Sequence, residues 1–205
     1  MIGVVTPLVM LGFVGIYWSR TRERERLSEA WAAYARRRGR TFGAPSGEWP
    51  NRTPPSIHWV EGGVEHGAAY RIEARGVETT VTTRVVARPT VAVFGELFVT
   101  RPDGEAALKP GAEPLLGRLV VRAHPAGFAA RVLTGEVKRA LLGFDPLSLV
   151  YRGGEVSLGW AGGEENDARL DEASAVVRSV LGALAVAYDE AGADPAAPAR
   201  ARRDG

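Results

Sequence analysis

Chemistry in this chain would have to start from three histidines, a knot of carboxylates and a run of arginines. His58, His66 and His124 are its only histidines. The first two lie in a hairpin pattern on alternate faces and should not converge on a metal. His124 stands before Pro125 at the end of a strand. Metal sites want ligands at set spacings, such as two histidines four apart on a helix, and no such pair occurs. Glu164, Glu165, Asp167, Asp171 and Glu172 form an acidic cluster at the head of a helical segment. Stabilisation by the helix dipole explains them better than cation binding. There is no Gly-x-Ser-x-Gly elbow, Walker loop or Gly-x-Gly-x-x-Gly, and the glycine pairs at 62–63, 153–154 and 162–163 read as turns. The absence of cysteine excludes thiol catalysis, disulfides and cysteine metal sites, and leaves the redox compartment undetermined. No catalytic residue, metal ligand or cofactor-binding residue is therefore assigned. Trp59 and Trp160 fall on apolar strand faces and read as core.

The arginines carry more information. Residues 1–40 hold eight Arg and three Glu, a surplus of five positive charges, whereas residues 41–199 carry a net −5. A basic end on a mildly acidic domain argues against nucleic acid as a partner, because phosphate recognition needs a basic surface. Ile2 to Trp18 has no charged residue. As a helix it would span about 26 Å, the short end of what crosses a bilayer. No basic residue precedes it, which speaks against a cleaved signal peptide. Its glycines and Pro7 suit a membrane helix better than a buried core helix. The expectation is a transmembrane anchor over residues 1–19. With Arg20, Arg22, Arg24 and Arg26 directly behind it, the positive-inside rule predicts a single-pass protein of the inner (cytoplasmic) membrane, N-terminus out and domain in the cytoplasm. Residues 20–40 then form a basic juxtamembrane helix, with Leu27, Ala30, Trp31 and Tyr34 as its apolar stripe. Arg36, Arg37, Arg38 and Arg40 close it. All eight arginines become candidates for contact with the anionic membrane surface, beside the plainer role of a favourable helix C-terminus for the last four.

Residues 41–56, with four Pro and two Gly, read as a linker. Strand signals follow at Ile57–Glu61 and Val64–Arg75, joined by Gly62-Gly63 so that Trp59 faces His66. Val77–Arg88 alternates apolar and polar residues as a half-buried strand should. Val91–Thr100 and Arg118–Ala123 are further strands. Ala126 to Leu142 reads as a helix that Gly135 weakens into two pieces. Leu147–Arg152 and Glu155–Ala161 form a second Gly-Gly hairpin, with Leu147, Leu149, Tyr151, Val156, Leu158 and Trp160 on one face and Arg152 paired with Glu155. Asn166 or Asp167 caps a final helix whose Leu170, Ala173, Val177, Val180, Leu181, Leu184 and Tyr188 recur at helical spacing. Residues 191–205 read as a disordered tail. The fold class predicted is α+β: an N-terminal transmembrane helix, then over residues 57–190 a mainly antiparallel sheet covered by two helices on one face.

The stretch Gly111-Ala112-Glu113-Pro114-Leu115-Leu116-Gly117-Arg118-Leu119-Val120-Val121-Arg122 resembles a degraded Gly-Asp-x-x-Phe-Asp block of uncharacterised bacterial membrane-associated proteins. Ala112, Leu115 and Leu116 stand where that block has Asp, Phe and Asp. In those proteins the block precedes a strand, a helix, a hairpin and a last helix, so the resemblance implies the same outline over residues 57–188. It implies no activity.

These features predict a non-enzymatic interaction or scaffold domain held at the inner membrane face. Its expected partners are the lipid bilayer and another membrane or cytoplasmic protein. The alternative is an apolar-ligand or lipid-binding domain, since a curved sheet gripped by a long helix can enclose a pocket. A third reading, an enzyme using carboxylates alone, needs two buried acids meeting in a cleft, and the sequence does not present them.

Overall fold

A computed structural model describes residues 22, 25–47, 53–75, 78–89, 93–103, 111–115, 117–163 and 166–193. One antiparallel sheet of nine strands organises them: β1 (Thr41–Gly43), β2 (Ser56–Glu61), β3 (Val64–Arg75), β4 (Glu78–Arg88), β5 (Glu96–Thr100), β6 (Glu113–Leu115), β7 (Leu119–His124), β8 (Ser148–Arg152) and β9 (Glu155–Ala161). Across the sheet the order is β1-β2-β3-β4-β9-β8-β5-β7-β6. The helices are α1 (25–37), α2 (Phe128–Val132), α3 (Gly135–Phe144) and α4 (Asp167–Ala193).

Strand register shows why one face is core. Ile57 pairs with Ala68, Ala68 with Val85, Val85 with Leu158, Leu158 with Leu149, Leu149 with Val99 and Val99 with Val121. All seven are buried, and they make one apolar row across the central strands. A one-residue slip in any strand would turn its share of that row to solvent. Leu170, Ala173, Val177, Val180 and Leu184 of α4 fill the space above the row. Asn166 caps α4, its Oδ1 accepting the Ala168 N–H at 2.9 Å. The predicted break before Gly135 is real: Thr134 starts α3 by accepting the Val137 N–H at 3.3 Å. Leu181 and Tyr188, expected in the apolar stripe, are only partly buried.

The expectation of a membrane span is corrected here. No helix among the described residues is long and apolar enough to cross a membrane. Residues 1–19 lie outside the described residues, so the transmembrane component of the fold class, the single-pass topology with its N-terminus out, and the cytoplasmic placement of the domain have no support in the fold. The segment read as juxtamembrane is instead part of the domain. Leu27, Trp31, Tyr34 and Ala35 of α1 are buried. Trp31 meets Tyr70 edge-on at 5.7 Å, and Leu27 packs so close to Gly163 that a Cβ there would lie 2.6 Å from Leu27 Cδ1. An amphipathic stripe says that a helix lies on something apolar, and here that surface is the sheet. The sheet thus carries α1 besides the two predicted helical regions.

Smaller differences follow from short or competing patterns. Thr41–Gly43, inside the stretch read as linker, is an edge strand, and three residues are too few to show alternation. Glu113–Leu115 is likewise a short strand, paired with β7. The strand expected over 91–100 narrows to Glu96–Thr100, and before it the buried Tyr151 hydroxyl accepts the Val93 N–H at 2.8 Å and donates to the Val93 carbonyl at 2.6 Å. Arg152 and Glu155 are cross-strand neighbours, but Arg152 bonds Glu96 at 3.0 Å, because β5 lies on the other flank of β8.

Candidate binding groove

The β2–β3 hairpin turns through Gly62 and Gly63, at φ 59° and 77°, backbone that a two-residue turn demands and glycine supplies without strain. That register sets Trp59 opposite His66. The two rings stack at 5.0 Å with an interplanar angle of 8°. On the other strand phase, Ser56, His58 and Val60 share the sheet's outer face with Gly67 and Ala69 of β3 and Arg84, Val86 and Arg88 of β4. β1 pairs with β2 only from Ser56 to His58, so the rest of β2 is left at the corner of the sheet.

A groove of about 980 Å³ occupies this corner. Its outer-face lining includes the small residues Ser56, Gly67 and Ala69 beside Val60 and Val86, with the His58 ring lying over Gly67. Cations ring it: Arg38, Arg40, Arg84, Arg88 and Arg178, against Glu61, Glu65 and Glu155. Arg84 and Arg88 share one carboxylate, Glu155, at 3.3 and 3.2 Å, while Glu61 holds Arg178 at 2.8 Å. The Arg40 guanidinium lies over the Trp59 ring, 3.9 Å from its centroid, so the indole is sandwiched between a cation and His66. Two buried polar atoms here have no hydrogen-bond partner among the described residues, Trp59 Nε1 and His66 Nδ1. Burial pushes the His66 pKa below the usual histidine range; Glu61 opposes this and the nearby Arg40 and Arg178 reinforce it.

The structure distributes the arginines singled out for membrane contact. Arg20 and Arg24 lie outside the described residues. Arg22, Arg26 and Arg36 are exposed. Arg37 makes a two-pronged bond to Asp167, at 2.9 and 2.8 Å, and Arg38 bonds Asp171. Arg40 donates to the Tyr34 hydroxyl, which donates to Asp171 at 2.8 Å. Desolvation, with the Asp171 hydrogen bond second, drives the Tyr34 pKa far up. The end of α1 is thus tied to the start of α4, and Asp167 and Asp171 of the acidic cluster serve that tie. Glu172 pairs with Arg169 at 3.4 Å, and Glu164 and Glu165 lie outside the described residues.

Of the histidines, His58 is exposed on the outer face, His66 is buried on the inner face, and His124 is exposed at the end of β7. Sequence reasoning placed Trp59 opposite His66 but missed the groove. The signal available was the set of small residues Ser56, Gly67 and Ala69 on one strand phase, which leaves a sheet face without bulk. Ser56 Oγ and His58 Nε2 lie 3.0 Å apart, the spacing of a nucleophile and its base. Such a pair needs a third group to orient the imidazole, and no carboxylate among the described residues bonds to His58. Trp160, by contrast, is plain core, packed edge-on to Phe144 at 5.3 Å.

No protein-family model matches this chain, and no curated protein does. Among solved structures, the chain is similar to the crystal structure of the mycobacterial trehalose monomycolate transport factor A, TtfA, with a TM-score of 0.58 and 12% sequence identity. The match covers 78% of this chain and 95% of that one. At that identity the likeness is one of fold: this chain and TtfA share an architecture.

Proposed function

We propose that this chain is a non-enzymatic binding module for an amphipathic lipid, taken into the groove at the β2–β3 corner. The observation that carries the reading is the groove itself. Its volume of about 980 Å³ suits a small molecule, and it joins the apolar side chains of Val60, Ala69 and Val86 to arginines at its rim, the two surfaces an amphipathic molecule needs. The shared fold with a transport factor for trehalose monomycolate adds support. Leu170, Ala173, Val177, Val180 and Leu184 of α4 belong to one buried cluster with the sheet, so the ligand is placed at the open sheet corner rather than under the helix. Titrating the full chain with a fluorescent fatty-acyl probe tests this. Saturable binding of one probe per chain is expected, with no turnover of ester substrates. Turnover abolished by Ser56→Ala would make the chain a hydrolase instead.

A further inference from the structure

We propose that the groove corner formed by Arg40, Trp59 and His66 is an oxyanion subsite, which holds the phosphate or carboxylate end of the ligand; the inference rests on the lipid-binding reading above. Three donor groups meet there, two of them buried without a hydrogen-bond partner among the described residues. The Trp59 indole N–H can only donate, and it is buried with no partner among the described residues. His66 is 4% exposed, and its Nδ1 is in the same position. As a neutral imidazole it can offer that nitrogen as a donor. Arg40 gives one bond to Tyr34 and spreads the rest of its guanidinium over the indole. Among the described residues no carboxylate pairs with it. Glu61, the acid that faces His66, is already held by Arg178.

Buried polar atoms are nearly always satisfied in folded proteins, so two orphans side by side under an uncancelled cation point to an acceptor that arrives from outside. A guanidinium fork matches the two oxygens of a carboxylate or phosphate. The half-exposed Arg40 side chain has to rotate off the ring for those oxygens to reach the indole N–H. On the outer face, by contrast, Arg84 and Arg88 already bond Glu155.

Calorimetry on the full chain, with detergents of one tail below their micelle concentrations, tests the inference. Dodecyl phosphate should bind about tenfold more tightly than dodecyl maltoside, and salt should erode the difference. Arg40→Gln and Trp59→Phe, the second keeping an aromatic ring and removing only the N–H donor, should each reduce the preference while dodecyl maltoside binds as before. The double variant Arg84→Gln/Arg88→Gln should keep it. Equal affinity of the two detergents would overturn the oxyanion subsite and leave the lipid reading standing. A preference that survives both corner variants, or is lost in the outer-face double variant, would overturn its placement at the corner. Inorganic phosphate binding as tightly as dodecyl phosphate would keep the subsite and overturn the lipid reading. No binding by any of the three would overturn both.

Discussion

The two Gly-Gly hairpins of this protein are built alike and end in opposite roles. In the β8–β9 hairpin, Gly153 and Gly154 take φ values of 59° and 74°, almost those of Gly62 and Gly63 in the β2–β3 hairpin. Each hairpin sets an inner face of large side chains against an outer face of small or charged ones. β8 and β9 lie mid-sheet, flanked by β5 and β4, and Leu149, Tyr151, Val156, Leu158 and Trp160 are all buried. β2 lies next to the three-residue β1 at the sheet's edge, and its Trp59 is only partly buried, under Arg40. Position in the sheet decides which hairpin is buried along its whole inner face and which, beyond the buried Ile57, Ala68 and Tyr70, is left with unsatisfied donors and a groove.

The largest effect should come from a cavity in the central hairpin. Leu158→Ala removes a fully buried side chain from the central row and should cost about 2–5 kcal/mol. Val60→Ala at the edge hairpin, a residue 70% exposed, should cost less than about 0.5 kcal/mol. Urea titration of both variants measures the contrast, and similar losses would show that the edge hairpin is as much core as the central one.

Tyr34→Phe probes the junction of α1 and α4 that supports the corner. It deletes the link between Arg40 and Asp171 while keeping the ring, and should cost about 1 kcal/mol. Because Arg40 then loses its anchor, the near-ultraviolet circular dichroism of the tryptophans should change. A variant as stable as the parent with an unaltered spectrum would remove the tie between α1 and α4 from the account.

The smallest effect is one of pH. Burial keeps His66 neutral in the fold and lowers its pKa. Below the unfolded value of about 6.5, the unfolded chain therefore binds a proton that the folded chain refuses. Stability should fall as pH drops from that value toward the folded one, and should be flat in this respect above it. His66→Phe should lack that component of the acid slope. An equal slope in parent and variant, followed by thermal unfolding at a series of pH values, would assign it to other groups.

How much of this was legible in the sequence depends on the length of each pattern. The eleven residues of β4 alternate long enough to declare a strand, and the two Gly-Gly turns fix register, so Trp59 could be placed opposite His66. β1 and β6 are three residues each and leave no periodicity. The apolar stripe of α1 was legible, but a stripe does not name its partner: beside an uncharged run it reads as juxtamembrane, and only the fold reveals the sheet beneath Trp31. The arginines were visible as a charge run, yet Asp167 and Asp171, their partners, are some 130 residues away. A groove is harder still, since it is defined by the side chains that Gly67 and Ala69 do not have.

Native mass spectrometry of the full chain after purification, beside Ala69→Trp, shows whether the groove holds a lipid. Ala69 lies on the outer-face floor of the groove and is opposite Arg84, so the indole should fill the floor without touching the central apolar row. One amphipathic lipid per chain is expected in the parent, with its removal in Ala69→Trp and a melting temperature within about 2 °C between the two, the shift of a surface substitution worth under half a kcal/mol. A parent that carries no lipid and takes up none when dodecyl phosphate is added, or a variant loaded to the same extent as the parent, would contradict lipid binding in the groove.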